Sequence, residues 1–194
     1  MREMTSSFQV VVIVRSIVLL GVASCLVGDP HVNNGYQSDT GVAGDPRVGE
    51  HSGVDFYADD GDPVLAVAAG TVASSAIAAG AGLCVLIEHT CRGCDPERYY
   101  TAYCHLQRSL VTTGRPVKRG EKIGEVGHSG LFSGGIAHMH LAMCTFACTF
   151  AVRDGEFAGT LDPMDYDVGC FDPERTYVPA DRPILTHPIA CLGR

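Results

Sequence analysis

Lysine is nearly missing from this 194-residue sequence. Only Lys118 and Lys122 are present, and all 14 basic side chains face 22 acidic ones, for a net charge of −8. An electrostatic nucleic-acid partner requires a basic face, so no nucleic acid is expected. Long apolar runs are also missing. The stretch 17–23 (IVLLGVA) is far short of the roughly 20 residues that span a bilayer. No long amphipathic helical pattern occurs, and no internal repeat. What is present, 46% hydrophobic and 19% charged residues, describes one ordinary globular domain with small additions.

The first 24 residues stand apart. Arg2 and Arg15 flank apolar sequence, and 17–23 ends at small residues, the pattern of a secretory signal over 1–24. Val22-Ala23-Ser24-Cys25 resembles the lipobox of bacterial lipoproteins. That resemblance implies cleavage before Cys25, a lipid on Cys25 and attachment to a membrane. There are nine cysteines, at 25, 84, 91, 94, 104, 144, 148, 170 and 191. With Cys25 set aside for lipid, eight remain, an even number suited to four disulfides in an oxidising compartment. Cys91-Arg92-Gly93-Cys94 invites a thioredoxin-like reading, but that motif belongs at a helix N-terminus. A four-cysteine zinc site with Cys144 and Cys148 is the other alternative; disulfides suit an exported chain better.

Residues 25–45, rich in Gly, Asp, Asn and Pro, read as a tether and irregular segment. Short β-favouring runs then recur between turn residues, at 54–58, 63–68, 70–78, 83–89, 99–106, 122–127 and 139–146. Their spacing predicts an all-β domain of antiparallel sheets and hairpins. From 167 to 194 the chain reads as an irregular tail that Cys170 and Cys191 pin down.

Three histidine-bearing segments carry the chemistry. His51 and Asp55, four apart at the entry to a β run, are expected on one face of a strand. His138 and His140 also share a face, roughly 6.5–7 Å apart at the backbone, so that one or both reach a common ion at Zn–N distances of about 2.0–2.1 Å. His105 comes from a third strand. Two histidines and one carboxylate form a zinc site of catalytic type, with water in the fourth position. On strict alternation Tyr103 shares the face of His105, as a candidate donor to an oxyanion, and Cys104 points the other way, to a structural disulfide. His89 reads as structural and His128 as an exposed loop residue. His31 and His187 lie in irregular segments without an assigned role.

The order of these segments resembles the lysostaphin/LytM-type peptidase domain. The matching elements begin with His51-Ser52-Gly53-Val54-Asp55-Phe56, Gly61-Asp62-Pro63-Val64 and Gly70-Thr71-Val72. They continue through Val85-Leu86-Ile87-Glu88-His89, Tyr103-Cys104-His105-Leu106, Gly114, Val117, Gly120 and Ile123-Gly124. Gly127-His128-Ser129-Gly130, His138-Met139-His140 and Leu161-Asp162-Pro163 close the match, which covers residues 46–166. The resemblance implies a compact antiparallel β domain with a substrate groove and a zinc ion held by His51, Asp55 and His140. It assigns His105 and His138 as catalytic histidines that do not ligate. It also implies peptide-bond hydrolysis in peptidoglycan. A catalytically silent relative that regulates another wall hydrolase is the alternative, although such domains typically lack metal ligands. The sequence departs from the family at Ala142, where an acidic residue is usual, in the longer loop between Gly127 and His138, at His128, and in its cysteines.

Overall fold

The computed structural model of the chain describes residues 32–36, 51–148 and 159–191. Residues 1–24, Cys25 and most of the segment 25–45 lie outside them. The strands of the described residues are β1 (Val32–Asn34), β2 (Val54–Phe56), β3 (Pro63–Leu65), β4 (Gly70–Ala78), β5 (Gly82–Thr90), β6 (Arg98–Leu106), β7 (Arg108–Ser109), β8 (Pro116–Val117), β9 (Lys122–Glu125), β10 (Met139–Cys144) and β11 (Thr160–Leu161). Every run read as β from the sequence carries one of them. The four strands outside those runs, β1, β7, β8 and β11, are two or three residues long, too short for a period of two to register. The fold is all-β, as expected, with the only helical turns among the described residues being 3-10 turns at Leu131–Ser133 and Pro163–Tyr166.

The large sheet runs β1-β2-β10-β6-β5-β4-β8, with β11 on the far end of β10, and a small sheet runs β3-β9-β7. All of these strand pairs are antiparallel. Alternation sends Val54, Phe56, Met139, Leu141, Tyr103 and Ile87 into one core with Val64 and Ile123 of the small sheet. Each fully buried aliphatic or aromatic side chain of this kind contributes roughly 1.5–3 kcal/mol. The core therefore occupies one face of the large sheet and leaves the other face for chemistry.

Two segments are more ordered than their composition suggests. Val32, within the region read as irregular, pairs with Phe56 and extends the large sheet. The C-terminal segment has few strands, yet it is packed rather than loose. Leu185 and Ile189 join the core, Leu65 N donates to Pro188 O at 2.7 Å, and Arg119 donates to Val67 O and Ile184 O. The eight cysteines other than Cys25 pair as Cys84–Cys104, Cys91–Cys94, Cys144–Cys148 and Cys170–Cys191. The Cys91–Cys94 bond closes the turn between β5 and β6, not a helix terminus.

Candidate metal centre

Because Val54 and Phe56 point into the core, Asp55 between them turns to the opposite face of the sheet. His140 does the same between Met139 and Leu141. Asp55 and His140 are direct partners across β2 and β10, and His140 is paired in turn with Cys104 of β6. The two strands approach closely at Gly53, where a Cβ would lie 2.3 Å from Leu141 O and 2.9 Å from the His140 ring. Any side chain there would push β10 and its histidine away.

His51 reaches the same point by a different route from the one expected. It lies before β2, outside any strand, so shared strand parity does not place it. Its Nδ1 donates to Gly35 O at 2.8 Å, next to β1. A carbonyl only accepts, so Nδ1 carries the proton and Nε2 presents a lone pair. That nitrogen is 3.1 Å from Asp55 Oδ1 and 3.1 Å from His140 Nδ1, and His140 Nδ1 is 2.8 Å from Asp55 Oδ1. All three residues are buried, with 7 to 8% exposure, and their facing atoms lie within 4.8 Å of one another.

Burial alone would raise the Asp55 carboxyl. Hydrogen bonds that His140 and His51 donate when protonated, and the charges those rings then carry, hold it instead well below the carboxylate range. Burial pushes the His140 imidazole down, against the pull of Asp55. The result is one carboxylate and two imidazole nitrogens converging in a buried spot. This is the donor set of a borderline divalent cation.

Two more imidazoles adjoin the set. His138 donates from Nδ1 to Ile136 O at 2.9 Å, which leaves Nε2 3.6 Å from Asp55 Oδ1. A bridge between Gly127 and His138 closes the base of the loop between them. His105 donates from Nδ1 to Ser129 O at 2.9 Å in that loop, and its ring centroid is 4.7 Å from that of His138 and 5.8 Å from that of His140. Burial, followed by the charges of His140 and His138, pushes the His105 imidazole down to about 3. It is neutral at pH 7, with Nε2 free of the proton. Ser129 is itself held by β5 and β6. Its hydroxyl donates to Leu106 O at 2.7 Å and accepts from Leu83 N at 2.9 Å. Gly82, at φ 72°, leaves the room, since a Cβ there would meet Ser129 at 2.4 Å.

Strict alternation fails at His105. Tyr103 does point to the core, where its hydroxyl accepts from Val67 N at 2.9 Å and lies 3.1 Å from Thr101 Oγ1. It does not share a face with His105 and is no oxyanion donor. Cys104 lies on the opposite face, in a cluster with Ala102, Ala142 and Cys84, and His105 joins that face too. Between the pairs Val85–Tyr103 and Leu83–Leu106, β6 carries two residues against one in β5. His105, at φ 63°, is the extra residue of this bulge. The Cys84–Cys104 disulfide therefore adjoins the site, where the expectation had turned Cys104 away from it. Ala142 packs in the same apolar cluster, so no carboxylate supports the histidines from that position. His89 is buried between Ala69 O at 2.8 Å and Thr101 Oγ1 at 2.7 Å, away from the centre. His128 is exposed and pairs with Asp60 at 2.9 Å. Sequence reasoning missed the three carbonyl anchors, Gly35, Ser129 and Ile136; main-chain acceptors leave no signature in residue type.

The fold and site thus define an all-β domain with a buried His–Asp–His group that could hold a metal ion. The family model for Peptidase family M23 matches residues 49–147, and the chain belongs to that family. A 95-residue stretch is 42% identical to an uncharacterized metalloprotease of Haemophilus influenzae, covering 48% of this chain and 18% of that protein. Over 94 residues the chain is 37% identical to the peptidoglycan DD-endopeptidase ShyC of Vibrio cholerae, covering 48% and 20% respectively. The chain thus spans about a fifth of the length of these curated relatives. Among solved structures, the catalytic domain of the antimicrobial peptidase lysostaphin from Staphylococcus simulans aligns with a TM-score of 0.55 at 25% identity, over 70% of this chain and 90% of that domain.

Proposed function

We propose that this domain is a zinc-dependent endopeptidase that hydrolyses peptide bonds in bacterial peptidoglycan. The observation that carries the reading is the convergence of His51 Nε2, Asp55 Oδ1 and His140 Nδ1 beside two histidines whose Nδ1 atoms are tied to backbone carbonyls. Similarity to a relative named as a peptidoglycan DD-endopeptidase supports the substrate class. His51, Asp55 and His140 would hold the zinc ion, which as a Lewis acid polarises a carbonyl and makes bound water more acidic.

The chain's own contribution is placement and proton transfer. With Nδ1 anchored, the ring of His105 and the ring of His138 each offer Nε2. One takes a proton from the attacking water at Nε2 and, once imidazolium, passes that proton to the departing amine; the other, when protonated at Nε2, donates to the developing oxyanion. Fixed Nδ1 partners keep both rings from turning between these tasks. Burial keeps His105 neutral and ready to accept.

Export belongs to the same reading. Residues 1–24 act as the signal, Cys25 carries lipid and anchors the chain to a membrane, and 25–45 tethers a peptidase domain at 46–166. Four disulfides support an oxidising location. The test is digestion of purified peptidoglycan with identification of the products by mass spectrometry, alongside zinc analysis and the intact mass of the membrane fraction. Zinc near one per chain with new amine termini in stem or cross-link peptides is the expected result. Intact peptidoglycan with a fully loaded protein would instead point to a silent, regulatory domain. A soluble chain with unmodified Cys25 would reject the anchor alone.

A further inference from the structure

The C-terminal segment gathers a second set of donor atoms on the other side of the large sheet. The His187 ring packs against Phe56, a core residue of β2, at 5.3 Å between centroids, whereas Asp55 faces away from that core. His187 is 2% exposed. Its Nε2 lies 3.2 Å from Asp167 Oδ2, and its Nδ1 lies 3.5 Å from Cys191 Sγ and 3.9 Å from Cys170 Sγ. The three donor atoms fall within 4.8 Å of one another.

The backbone holds this arrangement from several sides. His187 N donates to Gly169 O at 3.0 Å, Gly169 N donates to Asp167 Oδ2 at 3.0 Å, and Asp167 bridges Leu185. A carboxylate facing Nε2 makes that nitrogen the protonated one, so the lone pair on Nδ1 is directed at the two sulfurs. Carboxylate, imidazole and metal in a row is a recurring way to orient a ligating histidine. In a tetrahedral site with Zn–S near 2.3 Å and Zn–N near 2.0–2.1 Å, sulfur and nitrogen ligands sit about 3.6 Å apart. The observed separations already bracket that value, so only the sulfurs have to part.

We propose that, once the Cys170–Cys191 disulfide is reduced, Cys170, Cys191 and His187 bind one zinc ion, with Asp167 orienting His187. A dithiol reductant supplies the two electrons and two protons that convert the disulfide to two thiols, and itself becomes a disulfide. Zinc binding by the two thiolates then releases two protons. The ion closes the same loop as the disulfide, between residues 21 apart. The segment that carries Leu185 and Ile189 into the core is thereby pinned in either thiol state. The site shares no residue with the His51–Asp55–His140 centre and does not depend on the peptidase reading.

The experiment compares zinc per chain in the full-length protein and in a Cys170→Ser/Cys191→Ser variant. Each is measured before and after treatment with dithiothreitol, anaerobic removal of the reductant and exposure to zinc. Wild type should gain one ion more than the variant on reduction, since the other three disulfides are the same in both. Cobalt(II) in place of zinc should give a thiolate charge-transfer band in reduced wild type that the variant lacks. Asp167→Asn should weaken the second ion roughly 10–100-fold, the scale of losing a carboxylate behind a ligating histidine. No gain in reduced wild type, or an equal gain in the serine variant, overturns the site; unchanged affinity in Asp167→Asn overturns the role given to Asp167.

Discussion

His105 is the one non-glycine position among the described residues with positive φ, at 63°, and this yields a sharp test of how the fold presents it. Holding an L-residue in the left-handed region costs roughly 1–2 kcal/mol, a penalty set by Cβ and shared by histidine and alanine but not by glycine. In an ordinary strand interior, glycine is less stable than alanine by roughly 0.5–1 kcal/mol because it loses more backbone entropy. At this bulge the order should invert. His105→Gly and His105→Ala both lose the imidazole and its bond to Ser129 O, so those losses cancel in the comparison. What remains favours His105→Gly by about 1 kcal/mol. Urea unfolding of the two variants, read from the midpoints at equal slope, measures it. In the same pair, turnover of peptidoglycan should fall roughly 10²-fold or more, the scale of lost acid–base assistance, while zinc content stays at the wild-type level. An alanine variant as stable as the glycine variant would refute the strained geometry. Wild-type turnover in either variant would refute the proton-transfer role, and loss of zinc from both would make His105 a ligand.

Three further outcomes follow from the same geometry. Asp55→Ala and His140→Ala should each lose zinc and hydrolysis together, because each removes one of three converging donors; metal analysis showing full occupancy in both would break the ligand assignment. Burial pushes the His89 imidazole from its ordinary 6.5 down to about 4, so the unfolded chain takes up that proton first. The stability tied to His89 is therefore complete above about pH 6.5 and is lost as pH falls toward about 4, by about 3 kcal/mol in all. His89→Gln should lack that slope in denaturant titrations across the window, and parallel curves for wild type and variant would count against it. Replacing the Cys84–Cys104 pair by alanines should lower turnover while zinc is retained, since the disulfide ties the bulge that turns His105 outward; unaltered kinetics would show that the bulge holds without it.

Much of the sheet was legible because its inner strands obey a simple rule. Runs such as 83–89 and 139–144 alternate faces, and the same parity that sends Val54, Phe56, Met139 and Leu141 to the core delivers Asp55 and His140 together on the other side. The stretch Pro183-Ile184-Leu185-Thr186-His187-Pro188-Ile189 gave no such signal. Its prolines break any period, and Leu185 and Ile189 are buried by docking on the finished core, which no local pattern encodes. His51 was identified by residue type and position but by the wrong geometry, because its placement depends on Gly35, a main-chain acceptor 16 residues away in sequence.

The misreading at Tyr103-Cys104-His105 has a different physical origin. Alternation is a property of one strand, and by that rule alone Tyr103 and His105 share a face. A bulge is a property of two strands, a mismatch in which β6 spends two residues against the single Cys84 of β5. No reading of 99–106 alone contains it, since histidine is not a residue that advertises positive φ as glycine does. The nearest sign within β6 itself is the apolar Leu106 directly after His105. Unbroken alternation would send Leu106 toward the polar face and His105 into a core with Tyr103 and Leu141. With the bulge, Leu106 is fully buried and His105 stands with His138 and His140. The chain therefore gains a fourth histidine at the site, beside His51, His138 and His140, only by giving up regular pairing at one position, next to the disulfide that joins the two strands concerned.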